Sequence, residues 1–361
     1  MNRVIISGFY GFHNIGDEAI LRTLTQQLRK LDPEIHITVL SHTPEETMSK
    51  YDVHAVKRND IFKVFNAIRK SDVLLSGGGS LLQDDTSARS IHYYLTILRM
   101  GLFLKKNVFL ISNGIGPIIR DSNKKQVARV LNKVNHTTVR DFNSQKLLVD
   151  IGVNPDKISV SADMVIAMDM EPKERGKQIV EQFNLKEPHR KKIGIAVRHK
   201  DFKTSERKQQ LVFLANTLAI HYTVFFVPFY YKNDTKIYDE LKDFVDDNVY
   251  FINEKYDSEE FMSLLENLDI LMGSRLHSLI FALVAEVPFI GISYDPKIEN
   301  FMEMIHMKPV CSMSDFSPEK LIQSVELLEQ SYEDNKRKII ESKYLLKERL
   351  RVNDEMLKTV L

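Results

Sequence analysis

The chain has 361 residues, 43% of them hydrophobic and 27% charged, with a formal net charge of +1. That length accommodates two ordinary domains, the composition is that of a globular protein folding in water, and the near-neutral charge excludes a global field for nucleic acid. A ligand pocket is therefore expected in place of a nucleic-acid surface. Met1-Asn2-Arg3 leads directly into apolar Val4-Ile5-Ile6, so no secretion signal is expected, and no run of eighteen apolar residues offers a membrane span. The single cysteine, Cys311, excludes an internal disulfide and a thiolate metal cluster and points to a reducing compartment. The expected location is the cytoplasm.

In chain order, short Val/Ile/Leu/Phe runs predict strands at Arg3–Ser7, Ile35–Leu40, Asp72–Ser76, Asn107–Ser112 and Thr137–Arg140, with helical spacing between them. Near-continuous apolar strands alternating with helices indicate a parallel sheet covered on both faces. A charge-rich stretch from Met168 to Lys192 has no apolar run of strand length, and its residues 171–192 are expected to form a linker. A second series follows at Ile193–Val197, Thr223–Val227, Val249–Ile252, Asp269–Met272 and Phe289–Ile292. The tail from Ser317 to Leu361 has helical periodicity with mixed charges and reads as one or two closing helices with a solvated face. The economical reading is α/β, with two Rossmann-like doubly wound domains at 1–170 and 193–316 that face a cleft, and closing helices over 317–361.

Glycine is scarce, at 14 residues where about 7% is usual. Eight of them fall in three loops, each directly after a predicted strand: Gly8, Gly11 and Gly16; Gly77, Gly78 and Gly79; Gly114 and Gly116. Glycine at strand ends lets backbone amides approach an anion or a sugar. The first loop has the spacing G-x-x-G-x-x-x-x-G, so it fails the dinucleotide fingerprint, and the Walker pattern is missing as well. Asn14 or Asp17 would cap the helix that follows, and Asp17 and Glu18 suit its positive end. Asp17 could instead hydrogen-bond sugar hydroxyls at the mouth of the crevice.

Basic groups gather at other strand ends. Arg140 ends a first-half strand, Arg198 and His199 end "GIAV", and Arg275, His277 and Lys297 surround two more. Cations at the carboxyl ends of parallel strands point to a ligand crevice. Arg275 and His277 open a helix, where the dipole favours anions, and a bound polyanion would account for the mismatch. His13, His36, His42 and His54 lack the spacing and flanking acids of a zinc site, so no metal is expected. No G-x-S-x-G elbow announces a hydrolase.

Taken together, "GFYGFHNIGDEAIL" (Gly8–Leu21), "DVLLSGGGSLLQD" (Asp72–Asp84), "SNGIGP" (Ser112–Pro117), "VRD" (Val139–Asp141), "GSRLHSLIFAL" (Gly273–Leu283) and "ISYDPK" (Ile292–Lys297) resemble the polysaccharide pyruvyl transferase family. The resemblance is nearest to its CsaB-type cell-wall enzymes. It implies a GT-B-like fold and transfer of pyruvate from phosphoenolpyruvate to N-acetylmannosamine of a secondary cell-wall polymer, or of its lipid-linked precursor, as a 4,6-ketal.

On that resemblance, Arg140, Arg198, Arg275 and Lys297 would hold the carboxylate and phosphate of the donor. His277 would be the general acid/base. Gly11, Asn14, Gly16, Asp17, Gly78 and Gly79 would receive the acceptor sugar. The reaction needs no cofactor beyond phosphoenolpyruvate as co-substrate and no metal, and it implies a saccharide partner with contact at the inner face of the plasma membrane left open. The rival expectations are a GT-B glycosyltransferase using a nucleotide-sugar donor and a non-catalytic saccharide-binding protein.

Overall fold

The protein is described by a computed structural model covering residues 2–85, 88–170 and 172–359. It divides into two compact units, Met1–Met168 with Leu346–Leu361, and Asp169–Leu345. Each is a parallel α/β sandwich in which buried aliphatic strands are covered by helices on both faces.

In the first unit the strands are β1 (Arg3–Tyr10), β2 (His36–Ser41), β3 (His54–Lys57), β4 (Val73–Ser76), β5 (Gly79–Leu82), β6 (Asn107–Ile115), β7 (His136–Val139) and β8 (Ile158–Val160). They run in the order β3-β2-β1-β4-β6-β7-β8, with β5 paired to β6. The helices are α1 (Ile15–Leu31), α2 (Pro44–Tyr51), α3 (Ile61–Lys70), α4 (Ala88–Phe103), α5 (Asp121–Leu131) and α6 (Phe142–Asp150). Ile5, Leu74, Val108 and Leu110 of neighbouring strands form the centre of the core with Val64, Ile68, Leu95 and Leu98 from α3 and α4.

The second unit contains α7 (Lys173–Glu181), β9 (Lys192–Ala196), α8 (Ser205–Ala219), β10 (Thr223–Phe226), the short helices α9 (Tyr231–Asp234) and α10 (Tyr238–Leu241), and β11 (Val249–Phe251). It continues with α11 (Ser258–Leu265), β12 (Ile270–Gly273), α12 (Leu276–Val284), β13 (Phe289–Ser293), α13 (Pro296–Met304), β14 (Cys311–Ser312) and α14 (Pro318–Gln330). The sheet order is β11-β10-β9-β12-β13-β14, all parallel. Strand order therefore reverses between β1 and β4 in one unit and between β9 and β12 in the other, and such reversal points are where open α/β sheets bind ligands. Among the described residues no helix is long and apolar enough to cross a membrane.

Two boundaries differ from the sequence reading. The stretch at 171–192, expected as a linker, contains α7, which packs so closely on α11 that a Cβ on Gly176 would lie 2.0 Å from the Ser263 carbonyl oxygen. The Gly176 amide donates to Ser263 Oγ at 2.8 Å, and that hydroxyl donates to the Pro172 carbonyl. Of the charges that suggest a linker, Lys173, Glu174, Lys177 and Glu181 lie on the solvated face of this helix, whose other face carries buried Gly176, Ile179 and Val180. The tail forms α14 and then α15 (Tyr332–Lys358), and α15 begins in the second unit and ends in the first. There Asn353 is fully buried, accepting from Thr138 Oγ1 at 2.7 Å and donating to Ser112 Oγ at 2.9 Å.

Candidate functional site

The first glycine loop joins β1 to α1 at the reversal point of the first sheet. Asn14 takes the N-cap, its side-chain oxygen accepting from the Gly16 amide at 3.1 Å. The helix has amides without intrahelical partners at this end, so the oxygen expected to meet an acceptor sugar is engaged by the protein. Glu18 holds the loop: its carboxylate accepts from the Gly11 amide at 2.8 Å and from the Tyr51 hydroxyl at 2.6 Å. Gly11 has φ +79°, a left-handed conformation suited to glycine, and its Cα faces Ser41 and Thr43.

Much of the remaining glycine makes room for large side chains. The fully buried Tyr10 ring lies where a Cβ on Gly8 or Gly77 would be, with 2.3 Å and 2.0 Å to its atoms. Its hydroxyl has no hydrogen-bond partner among the described residues. Burial, followed by the charge of Asp17, pushes that phenol well above its ordinary pKa. Asp17 itself is buried at the start of α1, with Oδ1 against Gly79. Gly78 packs against Ile20 and the Ser112 carbonyl. Gly16 is buried in the first turn of α1.

Gly114 makes room for Arg140, whose guanidinium lies 2.6–2.7 Å from where a Cβ would stand. Arg140 is 5% exposed and donates to Asp163 at 3.2 Å and to Ser80 Oγ at 3.0 Å, with Asp141 at 3.7 Å. Expected to meet a donor, it is ion-paired inside its own unit, because a buried guanidinium needs counter-charge. Arg58, which carries no signal in the sequence, is only 8% exposed at the carboxyl end of β3. Its guanidinium donates to the Gly8 carbonyl at 2.9 Å and stacks on Phe12, Tyr93 and Tyr94 at 5.2, 4.3 and 5.5 Å. None of these partners is a carboxylate. Burial pushes the Tyr94 phenol up to about 12 although Arg58 opposes it.

In the second unit the expected cations converge. Arg198 follows β9, Arg275 and His277 follow β12, and Lys297 follows β13; these three strands are neighbours whose carboxyl ends lie on one edge. Arg198 uses Nε and Nη2 for a bidentate bond to Asp201, both at 2.6 Å. Arg275 does the same with Asp234, Nε at 2.7 Å. Among the described residues neither Nη1 has a hydrogen bond, so each carboxylate fixes one edge of a planar fork and leaves another available. Arg198 lies on the Tyr294 ring, with Lys297 and Lys200 at 5.2 and 5.9 Å from its centroid. Lys297 also pairs with Asp295 at 3.3 Å, the N-cap of α13.

Asp234 is 1% exposed. Burial raises its pKa above the usual carboxylate value, against the pull of Arg275, the Tyr230 amide and the charge of Arg198. Arg198 and Arg275 thus share the field of one buried carboxylate. Arg275 is the N-cap of α12, with no side-chain cap bond and no acid in the first turn, and half-buried His277 is in that turn. His199, which follows Arg198, meets Glu240 through Nε2 at 2.9 Å, and hydrogen bonds from Lys208 and then His199 hold the Glu240 carboxyl below its usual range. Tyr294, Asp201 and Asp234 were missed from sequence. Only the position of Tyr294 inside "ISYDPK" gave any signal.

The polysaccharide pyruvyl transferase family model matches residues 14–296, which contain Arg198, Asp201, Asp234, Arg275, His277 and Tyr294 and end one residue before Lys297. The chain belongs to the polysaccharide pyruvyl transferase family. It is 20% identical to the amylovoran biosynthesis protein AmsJ of Erwinia amylovora, over 86% of this chain and 88% of that one. Among solved structures it resembles a putative UDP-N-acetylglucosamine 2-epimerase from Listeria monocytogenes (TM-score 0.67, 13% identity, 94% of this chain and 90% of that one). It also resembles the Anabaena HepE protein in complex with UDP and glucose (TM-score 0.65, 10% identity, 99% of each chain). At such identities these two likenesses establish the GT-B-like fold alone. The family match supports a transferase of polysaccharide biosynthesis, and the AmsJ relationship supports the family without favouring its CsaB-type branch.

Proposed function

We propose that this protein transfers pyruvate from phosphoenolpyruvate to a saccharide as a cyclic ketal, releasing phosphate, with the donor held by the second unit. The observation that carries the reading is the pair of guanidiniums of Arg198 and Arg275, each clamped on one edge by a carboxylate, at the reversal point of the second sheet. Phosphoenolpyruvate bears a planar carboxylate and a tetrahedral phosphate, each of which offers two oxygens to the paired N–H groups of a guanidinium edge. Lys297 and Lys200, around Tyr294, add charge for the leaving phosphate.

His277 serves as general acid and base in this scheme. It delivers a proton to the methylene carbon, which becomes the methyl group. A sugar hydroxyl attacks the adjacent carbon and returns its proton to His277. The carbon–oxygen bond to phosphate then breaks, and a second hydroxyl closes the ketal as its proton leaves with the phosphate. Two hydroxyl protons are consumed, one ending on the methyl group and one on hydrogen phosphate, so no oxidant, metal or cofactor enters the balance.

The acceptor belongs to the first unit in this reading, at Asp17 and the Gly11, Gly16, Gly78 and Gly79 backbone, with Asn14 shaping the loop as its cap. Arg140 is assigned to fixing the strand end through Asp163, not to the donor. Arg58 would attract an acceptor carrying a phosphate, as a lipid-linked or nucleotide-linked sugar does. N-acetylmannosamine of a cell-wall polymer is the acceptor we favour, at the inner face of the plasma membrane.

Thermal melts with phosphoenolpyruvate and with uridine diphosphate test the donor. A shift with phosphoenolpyruvate that Arg275→Lys diminishes supports pyruvyl transfer. A shift with uridine diphosphate alone would replace it with nucleotide-sugar glycosyl transfer. A folded protein that binds saccharide and releases no phosphate would be a binding protein.

A further inference from the structure

Helix α3 has two apolar faces. Val64 and Ile68 are fully buried in the core of the first unit. Ile61, Phe62 and Phe65 face solvent, Phe62 at 86% exposure. Spacings of three and four residues place these three on one surface of the helix. A lone exposed phenylalanine is ordinary, but three large apolar groups within five residues form a patch that water does not favour.

The surroundings of the patch are cationic. Residues 57–70 contain Lys57, Arg58, Lys63, Arg69 and Lys70 against a single acid, Asp60. Asp60 caps the helix through the Lys63 amide and pairs with the Lys63 ammonium at 3.5 Å. At the far end, Lys106 Nζ donates to the Arg69 carbonyl and Arg3 to the Lys70 carbonyl, which brings two more cations to the same helix. Lys57, Lys63, Arg69 and Lys70 are exposed.

We propose that α3 docks the first unit on an anionic lipid surface, with Ile61, Phe62 and Phe65 entering the interfacial layer and the neighbouring lysines and arginines against headgroup phosphates. Bulky apolar side chains ringed by Lys and Arg are the arrangement that suits such an interface. Three side chains do not supply the roughly 800 Å² per partner of a standard protein interface, which favours lipid over a protein partner. Because β3 runs parallel to β1 and β2, the first turn of α3 lies at the same carboxyl edge as Arg58 and the Gly11 loop. Docking there brings the acceptor side of the first unit to the bilayer surface, where a lipid-linked saccharide would be presented. Lipid binding itself does not depend on the pyruvyl-transfer reading.

The test is co-sedimentation of the full chain with vesicles of phosphatidylcholine alone or mixed with phosphatidylglycerol. The wild type is expected to pellet with the mixed vesicles, less with the neutral ones, and to be released by salt. Phe62→Ser/Phe65→Ser is expected to keep the wild-type melting temperature and lose at least about tenfold in vesicle affinity, as removal of two buried aromatic groups from the interface requires. Lys63→Glu/Lys70→Glu is expected to lose the preference for anionic vesicles. No pelleting of the wild type, or equal pelleting of wild type and the phenylalanine double variant, overturns the proposal. So does a vesicle-free dimer that the phenylalanine double variant dissociates, because the patch would then be a self-association surface.

Discussion

Replacing Arg275 with methionine leaves a carboxylate buried with most of its compensation gone. Asp234 is 1% exposed, and its remaining partner by hydrogen bond is the Tyr230 amide at 2.9 Å. Breaking a buried pair by removing one member costs about 3–5 kcal/mol. At about 2–4 °C per kcal/mol for a unit of this size, the second unit should melt roughly 6–20 °C lower near neutral pH. The loss should depend on pH in a defined direction. Burial already raises the folded-state pKa of Asp234 above its unfolded value, and removing Arg275 raises it further. A carboxyl raised on folding contributes stability that is present at acid pH and lost as pH rises through the folded pKa. Arg275→Met should therefore be closer to wild type near pH 5 than near pH 8. Adding Asp234→Asn removes the buried charge and should restore most of the melting temperature. The assay is differential scanning calorimetry of the wild type and both variants at the two pH values. An equal loss at both, with no rescue by Asp234→Asn, would refute the buried-pair argument.

Further outcomes follow from the same geometry. Gly176→Ala should destabilise by roughly 1–3 kcal/mol in urea denaturation, since its Cβ meets the backbone of α11; a neutral effect would return 171–192 to a linker role. Gly114→Ala should displace the Arg140 guanidinium and cost a similar ~1–3 kcal/mol, and a crystal structure with Arg140 unmoved on Asp163 would show the packing argument to be wrong. Glu18→Ala removes acceptors for two buried donors, the Gly11 amide and the Tyr51 hydroxyl, so a loss of about 2–4 kcal/mol is expected by chemical denaturation. His277→Gln should fold normally and lose phosphate release; retained turnover would remove His277 from the proton-transfer role.

The fold was legible because its central strands are apolar on both faces: the runs at Arg3–Ser7, Asp72–Ser76, Ile193–Val197 and Asp269–Met272 lie at the two reversal points. Short edge elements gave no comparable signal. His54–Lys57 is half-exposed and Cys311–Ser312 has two residues, so their pairing is set by the neighbouring strand and not by local pattern. Among site residues, the cations of the second unit could be placed because a charge directly after a strand has only the sheet edge to occupy. Their carboxylate partners could not: Asp234 is distant in sequence from Arg275, and its role depends on burial that no local pattern encodes. Arg140 marks the limit of that signal, since a cation at a strand end looks the same in sequence whether it faces a ligand or a buried Asp163. Glycines after strands suit a sugar, and Gly8, Gly77 and Gly114 show a tertiary requirement with the same sequence signature, since they make room for Tyr10 and Arg140.

The most direct test of pyruvyl transfer is incubation of the intact protein with phosphoenolpyruvate and a panel of lipid-linked saccharides, with inorganic phosphate and product mass measured together. The account predicts phosphate release that requires an acceptor, one equivalent per product carrying a pyruvate ketal, and loss of both signals in His277→Gln. Phosphate release without a pyruvylated product, or a glycosylated product formed only when a nucleotide sugar is supplied, would contradict it.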